Sequence, residues 1–161
     1  LVQVARRTQG LMLPPGNPRR VQSLGQLRRL RVVNRAPGTG TRALLDELLR
    51  AAGVAPESLP GHERIEPTHV AVAVAVASGQ ADAGFGLQAA AAGLGLAFVP
   101  LVVEDYLLVA DREALETPAA RSVVAALASP AWRDAVAALP GYDAHDAGRI
   151  RAPRGTLPWS A

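Results

Sequence analysis

The chain has no cysteine and no lysine, and aromatic residues make up only 4% of its 161 positions. Without cysteine there are no disulfides and no thiolate metal sites, and the compartment stays open. A composition that is 49% hydrophobic with so few aromatics has to build its core from Ala, Val and Leu, which suits layered α/β structure. No apolar run reaches membrane-spanning length and no signal peptide is visible, so no membrane partner is expected. All 17 basic residues are arginine, and against 14 acidic ones they leave a net charge of only +3. The clusters Arg28, Arg29, Arg31 and Arg149, Arg151, Arg154 carry no interleaved aromatics and no recognition motif. They read as a solvated helix face and a basic tail, and no direct nucleic-acid contact is expected.

Periodicity and end signals place the elements. A strand is predicted over Leu1 to Arg6, then a rigid turn at Pro14-Pro15-Gly16-Asn17-Pro18, a short helix Leu24 to Leu30 capped by Ser23, and a strand Arg31 to Asn34. Leu44, Leu45, Leu48 and Leu49 fall at helical spacing within Thr41 to Ala52, and Gly53 stops that helix. The Val/Ala alternation of Val70 to Val76 reads as a strand by period alone. Thr68 as N-cap and Ser78-Gly79 as an exit outweigh it, so Val70 to Ser78 is predicted helical. Next come a strand Ala81 to Phe85, a helix Leu87 to Leu94 and a strand Ala97 to Val103. A kink at Glu104-Asp105 separates that strand from further β structure over Tyr106 to Ala110. Two proline-initiated helices follow, Pro118 to Ala128 and Pro130 to Leu139, and the chain after Gly141 is expected to be irregular.

Between the strand ending at Asn34 and the helix after it lies Asn34-Arg35-Ala36-Pro37-Gly38-Thr39-Gly40-Thr41-Arg42. Gly38 and Gly40 permit a sharp turn with unobstructed amides, and Thr39 and Thr41 add hydroxyls at the helix start. Unpaired N–H groups and the positive end of the helix dipole then converge where a small oxyanion or a carboxylate fits. The alternative is a plain N-cap preceded by a glycine turn. A second helix start, at Thr68, His69 and Val70, is expected at the carboxyl end of a neighbouring parallel strand, so that both dipoles point at one cleft. Arg42 and Arg35 each either add charge there or serve structure, Asp46 standing one turn from Arg42. His62, His69 and His145 lack metal spacing, and no nucleophile with a nearby base accompanies Asp82 or Glu104. Gly84-Phe85-Gly86 is too short for a dinucleotide fingerprint.

Several stretches resemble the molybdate-binding-protein-like domain, which is found alone or fused to helix-turn-helix regulators and molybdopterin-biosynthesis proteins. They are Arg6-Arg7-Thr8-Gln9-Gly10-Leu11 with Pro15-Gly16-Asn17-Pro18, then Asn34-Arg35 with Gly38-Thr39-Gly40-Thr41-Arg42 and Leu44-Leu45-Asp46, then Thr68-His69-Val70-Ala71-Val72-Ala73. Ala75-Val76-Ala77-Ser78-Gly79 with Ala81-Asp82-Ala83-Gly84, and Phe98-Val99-Pro100-Leu101 with Glu104 and Tyr106, continue in the family's order. The resemblance covers roughly residues 1 to 140. It implies an α/β, type 2 periplasmic-binding-protein-like fold whose two lobes close on a ligand, with the second lobe largely complete and the first apparently truncated at the N-terminus.

On that reading residues 1–9 are the crossover strand and hinge, 10–104 the ligand-binding lobe, 105–140 a return strand and helices of the first lobe, and 141–161 an irregular tail. The expected ligand-binding residues are Gly38, Thr39, Gly40, Thr41, Arg42, Thr68, His69 and Val70, while Arg7, Gln9, Arg35, Gly86 and Tyr106 are expected at the hinge or behind the site. The expected function is non-enzymatic binding or sensing of molybdate or tungstate in a transport or regulatory protein, with no cofactor and no metal. The alternative is a domain of a molybdenum-cofactor biosynthesis enzyme or another anion-handling enzyme. Expected partners are the anion, a missing N-terminal lobe or fused regulatory domain, and a possible second copy of the chain. A regulator or biosynthesis fusion implies the cytoplasm; a transport component implies the periplasm.

Overall fold

A computed structural model describes residues 1–152. In chain order the elements are β1 (Val2–Leu13), a 3-10 helix (Leu24–Arg29), β2 (Val32–Arg35), α1 (Gly40–Ala51), a 3-10 turn (Pro56–Ser58), β3 (Ile65–Glu66), α2 (His69–Ala77), β4 (Ala83–Leu87), α3 (Gln88–Ala92), β5 (Ala97–Leu108), α4 (Arg112–Leu115), α5 (Pro118–Leu127), α6 (Pro130–Ala137) and β6 (Tyr142–Asp143). Two compact units share the chain: Thr8–Val102, and Leu1–Arg7 together with the chain from Val103 onward.

The unit Thr8–Val102 is a wound α/β layer with strand order β3-β2-β4-β1-β5. Strand β2 runs parallel to β3 and β4, while β1 pairs antiparallel with β4 through Gln9↔Leu87, Gly10↔Gly86, Leu11↔Phe85 and Met12↔Gly84. Alternation along each strand sorts the core. Leu11, Leu13, Val32 and Phe85 pack with Leu45 and Leu49 of α1, whereas Met12 and Val33 pack with Val72 and Val76 of α2. The two helices therefore cover opposite faces, as right-handed crossovers from β2 to β3 and from β3 back to β4 require. Gly84 lets α2 lie close, since a Cβ there would stand 2.4 Å from Val72 Cγ1.

The Val/Ala stretch is helical, as its caps predict. Thr68 Oγ1 accepts from Ala71 N at 3.0 Å, and a helix covered on one face tolerates Val70 and Val74 on the exposed one. Three expectations need correction. Strand β1 does not end at Arg6 but continues to Leu13, because Gly10 admits β5 against it: a Cβ on Gly10 would stand 2.1 Å from Val99 O. Strand β5 is unbroken at Glu104-Asp105, where the carboxylates are taken up by arginines instead of turning the chain, Glu104 by Arg7 and Asp105 by Arg6 and Arg151. The segment after Gly141 is not wholly irregular, since Tyr142 and Asp143 pair with Arg7 and Arg6, and Val2 bridges Ile150. Arg154 and the rest of the tail from 153 lie outside the described residues.

In the second unit, Ala5, Val136, Ala144 and Ala147 form a small buried cluster, with Trp132 and Tyr142 packed against it. Trp132 Nε1 donates to Val4 O at 3.1 Å. Among the described residues no helix is long and apolar enough to cross a membrane.

Candidate functional site

Strand β2 hands the chain to α1 on one face, and its parallel neighbour β3 hands it to α2 on the other. At the carboxyl ends of two strands that diverge in this way, open α/β sheets form the crevice in which they receive their ligands. Two sequence features build its walls. Gly38, at φ +83, takes a backbone conformation that side chains resist, and the turn delivers Thr39 as N-cap of α1. Thr39 Oγ1 donates to Ala36 O at 2.8 Å and accepts from Arg42 N at 3.3 Å, which fixes the loop to the helix. On the other wall Pro67 and Thr68 launch α2, and Arg35 Nη2 donates to Pro67 O at 2.9 Å, tying that entrance to the end of β2.

The two helix starts meet. Thr41 Oγ1 lies 3.5 Å from His69 Nε2, so a residue in the first turn of α1 and the first residue of α2 are neighbours across the top of the sheet. Gly86 makes this possible from below: a Cβ there would stand 2.7 Å from both His69 Nδ1 and Met12 Cε, so the imidazole rests where a larger residue would exclude it. Among the described residues the amides of Gly40, Thr41 and Val70 have no acceptor. They are the unpaired donors that every helix start presents, here supplied by two helices at one place.

Arg42 is 8% exposed, and its guanidinium is committed within the protein. Nε donates to both oxygens of Asp46 at 3.0 and 3.1 Å, Nη1 reaches Arg35 O at 3.4 Å, and Nη2 reaches His62 Nε2 at 2.7 Å. It stiffens the loop from behind, with its charge balanced by Asp46. Arg35 forms no ion pair among the described residues, although Glu66 stands opposite it in the ladder, so the unpaired positive charge at the crevice belongs to Arg35. His62, whose carbonyl also accepts from Asn34 Nδ2 at 2.9 Å, is a residue that motif reasoning passed over. Nothing in its local sequence links it to α1, because the contact spans twenty positions.

The remaining candidates divide by unit. Gln9 is fully buried at the carboxyl end of β4. Arg7 and Tyr106 lie in the other unit, where the Arg7 guanidinium sits 4.3 Å from the Tyr106 ring centroid and bonds Glu104. At the far, amino end of β2 and β4, Asp82 accepts from Arg31 through its backbone amide at 2.9 Å and its guanidinium at 3.0 and 3.1 Å. Those bonds hold its carboxyl down to about 2, against partial burial that works the other way. Asp82 is thus a clasp of the fold, remote from the crevice. Among the described residues there is no group of three histidine or carboxylate side chains that could hold a metal.

The family match agrees with this architecture. Residues 1–128 match the model of the PBP superfamily domain. Over 111 residues the chain is 36% identical to the uncharacterized protein YvgK of Bacillus subtilis strain 168, an alignment that covers 68% of this chain and 36% of that protein. The chain thus spans about a third of the curated relative's length. The structure of PhnD1 from Prochlorococcus marinus MIT 9301, in complex with methylphosphonate, superposes with a TM-score of 0.47 at 18% identity, over 66% of this chain and 46% of that one.

Proposed function

The chain belongs to the PBP superfamily, with a periplasmic-binding-protein-like fold, and from that premise we propose that it is a non-enzymatic binding domain for a small oxyanion, molybdate or tungstate, in a transport or regulatory protein. The observation that carries this reading is the meeting of the α1 and α2 starts, with Thr41 and His69 3.5 Å apart and the amides of Gly40, Thr41 and Val70 lacking acceptors. Two half-dipoles and fixed N–H groups balance a dianion without a metal, and Arg35 adds one formal charge. Residues 10–104 are the ligand-binding lobe in this reading.

Size sets the selectivity. Donors held by two helices and a glycine turn keep their spacing, so a smaller tetrahedral anion leaves some of them too distant to bond. Isothermal titration calorimetry of the full protein with molybdate, tungstate, sulfate, phosphate and methylphosphonate tests the reading. Strong heat with molybdate or tungstate and little with sulfate supports it; no heat with any of these anions defeats it.

A further inference from the structure

Gln9 is 0% exposed and Asn34 2%, yet both atoms of the Gln9 carboxamide and the Oδ1 of Asn34 lack a partner among the described residues. A buried, unbonded carboxamide is an expensive feature, and interiors rarely retain one without a use. Its location gives the use. Gln9 is in register with Leu87, the last residue of β4, and Asn34 is the penultimate residue of β2, so both stand at the carboxyl end of the sheet below the crevice. Leu11 and Leu13, two and four positions after Gln9, pack in the cluster that holds Leu45 and Leu49 of α1. By strand alternation Gln9 projects to that same face, the one α1 covers.

We propose that Gln9 is a ligand-contacting, specificity-determining residue of the oxyanion site, an inference that rests on the reading of the crevice as that site. Its Nε2 donates to a ligand oxygen, while its Oε1 turns a fully deprotonated oxygen away, so one carboxamide both binds and orients the anion. Asn34 Oδ1 adds a second acceptor on the same face, and together they confine the anion's bare oxygens to the amides of α1 and α2 and to Gln9 Nε2. Because Gln9 does not reach solvent, binding includes a shift of the side chains that roof it, and the affinity is lowered by that rearrangement.

Gln9→Leu removes the polar atoms at comparable volume, and a ligand role separates two readouts that a structural role keeps together. Deleting an unbonded buried amide leaves Tm unchanged or raises it, whereas deleting a ligand donor weakens molybdate binding about 10-fold, the value of one hydrogen bond to a charged group. Gln9→Glu sets a carboxylate against the anion and lowers affinity further, by about 100-fold. Gln9→Met serves as a second apolar variant should Leu not fold, and in the wild-type protein the Gln9 side-chain NH2 resonances shift on addition of molybdate. Molybdate binding equal in wild type and Gln9→Leu or Gln9→Met, or a lowered Tm with binding intact, overturns this inference and leaves the proposed function standing. Wild-type protein that binds no oxyanion overturns both.

Discussion

The unit Thr8–Val102 and the unit built from Leu1–Arg7 with the chain from Val103 onward bury apolar surface to very different extents. In the first, Leu11, Leu13, Leu27, Leu45, Leu49 and Val72 are essentially sealed, in two clusters on either face of a sheet. In the second, the buried cluster is mostly alanine, while Val103, Tyr106, Leu108, Val109, Val123 and Ile150 keep two fifths or more of their surface exposed. What holds the second unit is largely polar: Arg151 and Arg6 on Asp105, at 2.9 and 3.6 Å, Arg7 on Glu104, and the Trp132 bond to Val4. The pairs on Asp105 are exposed, and pairs of that kind contribute little and are screened by salt, which leaves Arg7 on Glu104 as the part-buried one. The unit in which the starts of α1 and α2 meet is the one with the consolidated core beneath them.

The largest effect that tests this contrast comes from truncating one core residue in each unit. Leu45→Ala removes a sealed side chain beneath α1 and should lower unfolding free energy by about 2–5 kcal/mol, while Val136→Ala in the small cluster should lower it by about 1 kcal/mol. Urea denaturation gives the totals, and hydrogen exchange resolved by segment shows which unit loses protection. Similar losses from both substitutions would mean that the two cores are equally consolidated and would break the comparison.

A smaller effect sharpens it at the crevice. Gly86→Ala places a methyl where the His69 ring and the Met12 side chain now lie, and the overpacking should destabilise the protein by about 1–3 kcal/mol. The histidine side chain is the one that can yield, so the loss should be accompanied by a changed His69 ring resonance and by weaker oxyanion binding. An alanine variant with native stability and an unmoved His69 signal would show that the floor under α2 is not tight.

Different parts of this arrangement were legible in the sequence to different degrees, for physical reasons. The Gly38–Thr41 loop and Thr68 were readable because capping is local: glycine at φ +83 and a threonine whose hydroxyl bonds the amide three residues on are decided within a handful of positions. The helical state of His69–Ala77 followed from the same local signals, against its alternating period. What stayed hidden was non-local. The two-residue strand β3 exists because Asn34 and Arg35 pair with it, the Arg42 bond to His62 joins positions twenty apart, and the pairing of Tyr142–Asp143 with Arg6–Arg7 closes nearly the whole chain. Glu104-Asp105 reads as a break because two adjacent carboxylates disfavour strand, and the arginines that neutralise them are remote in sequence, Arg7 standing 97 positions from Glu104 and Arg151 46 from Asp105.

On the sparsely packed side, one directional bond should matter more than the pairs. Trp132→Phe keeps the ring against Ala5 and Ala144 but deletes the donor to Val4 O, leaving a carbonyl without its partner. A loss of about 1 kcal/mol is expected, with Val4 and its neighbours gaining exchange while Thr8–Val102 stays protected. Uniform loss of protection over the whole chain would instead show that the units unfold as one.

The smallest expected effect lies on the well-packed side and is a function of pH. Asp82 accepts hydrogen bonds from the Arg31 guanidinium and amide, with further attraction from Arg19 at 3.7 Å, and these hold its carboxyl at about 2 against an ordinary 3.8. The folded state therefore binds this proton more weakly than the unfolded chain does. The stabilisation is fully present above about pH 4 and is lost as pH falls from 4 through 2, where the native carboxylate is itself half protonated. Asp82→Asn removes the titrating group, so the variant should melt about 2–4 °C below wild type at pH 7, and the two curves should converge near pH 2. Because Asp82 and Arg31 join the starts of β4 and β2, at the opposite end of the sheet from the crevice, molybdate affinity at neutral pH should be unchanged. A gap in melting temperature that persists at pH 2 would mean that the aspartate acts through its shape and bonding geometry and not through its charge.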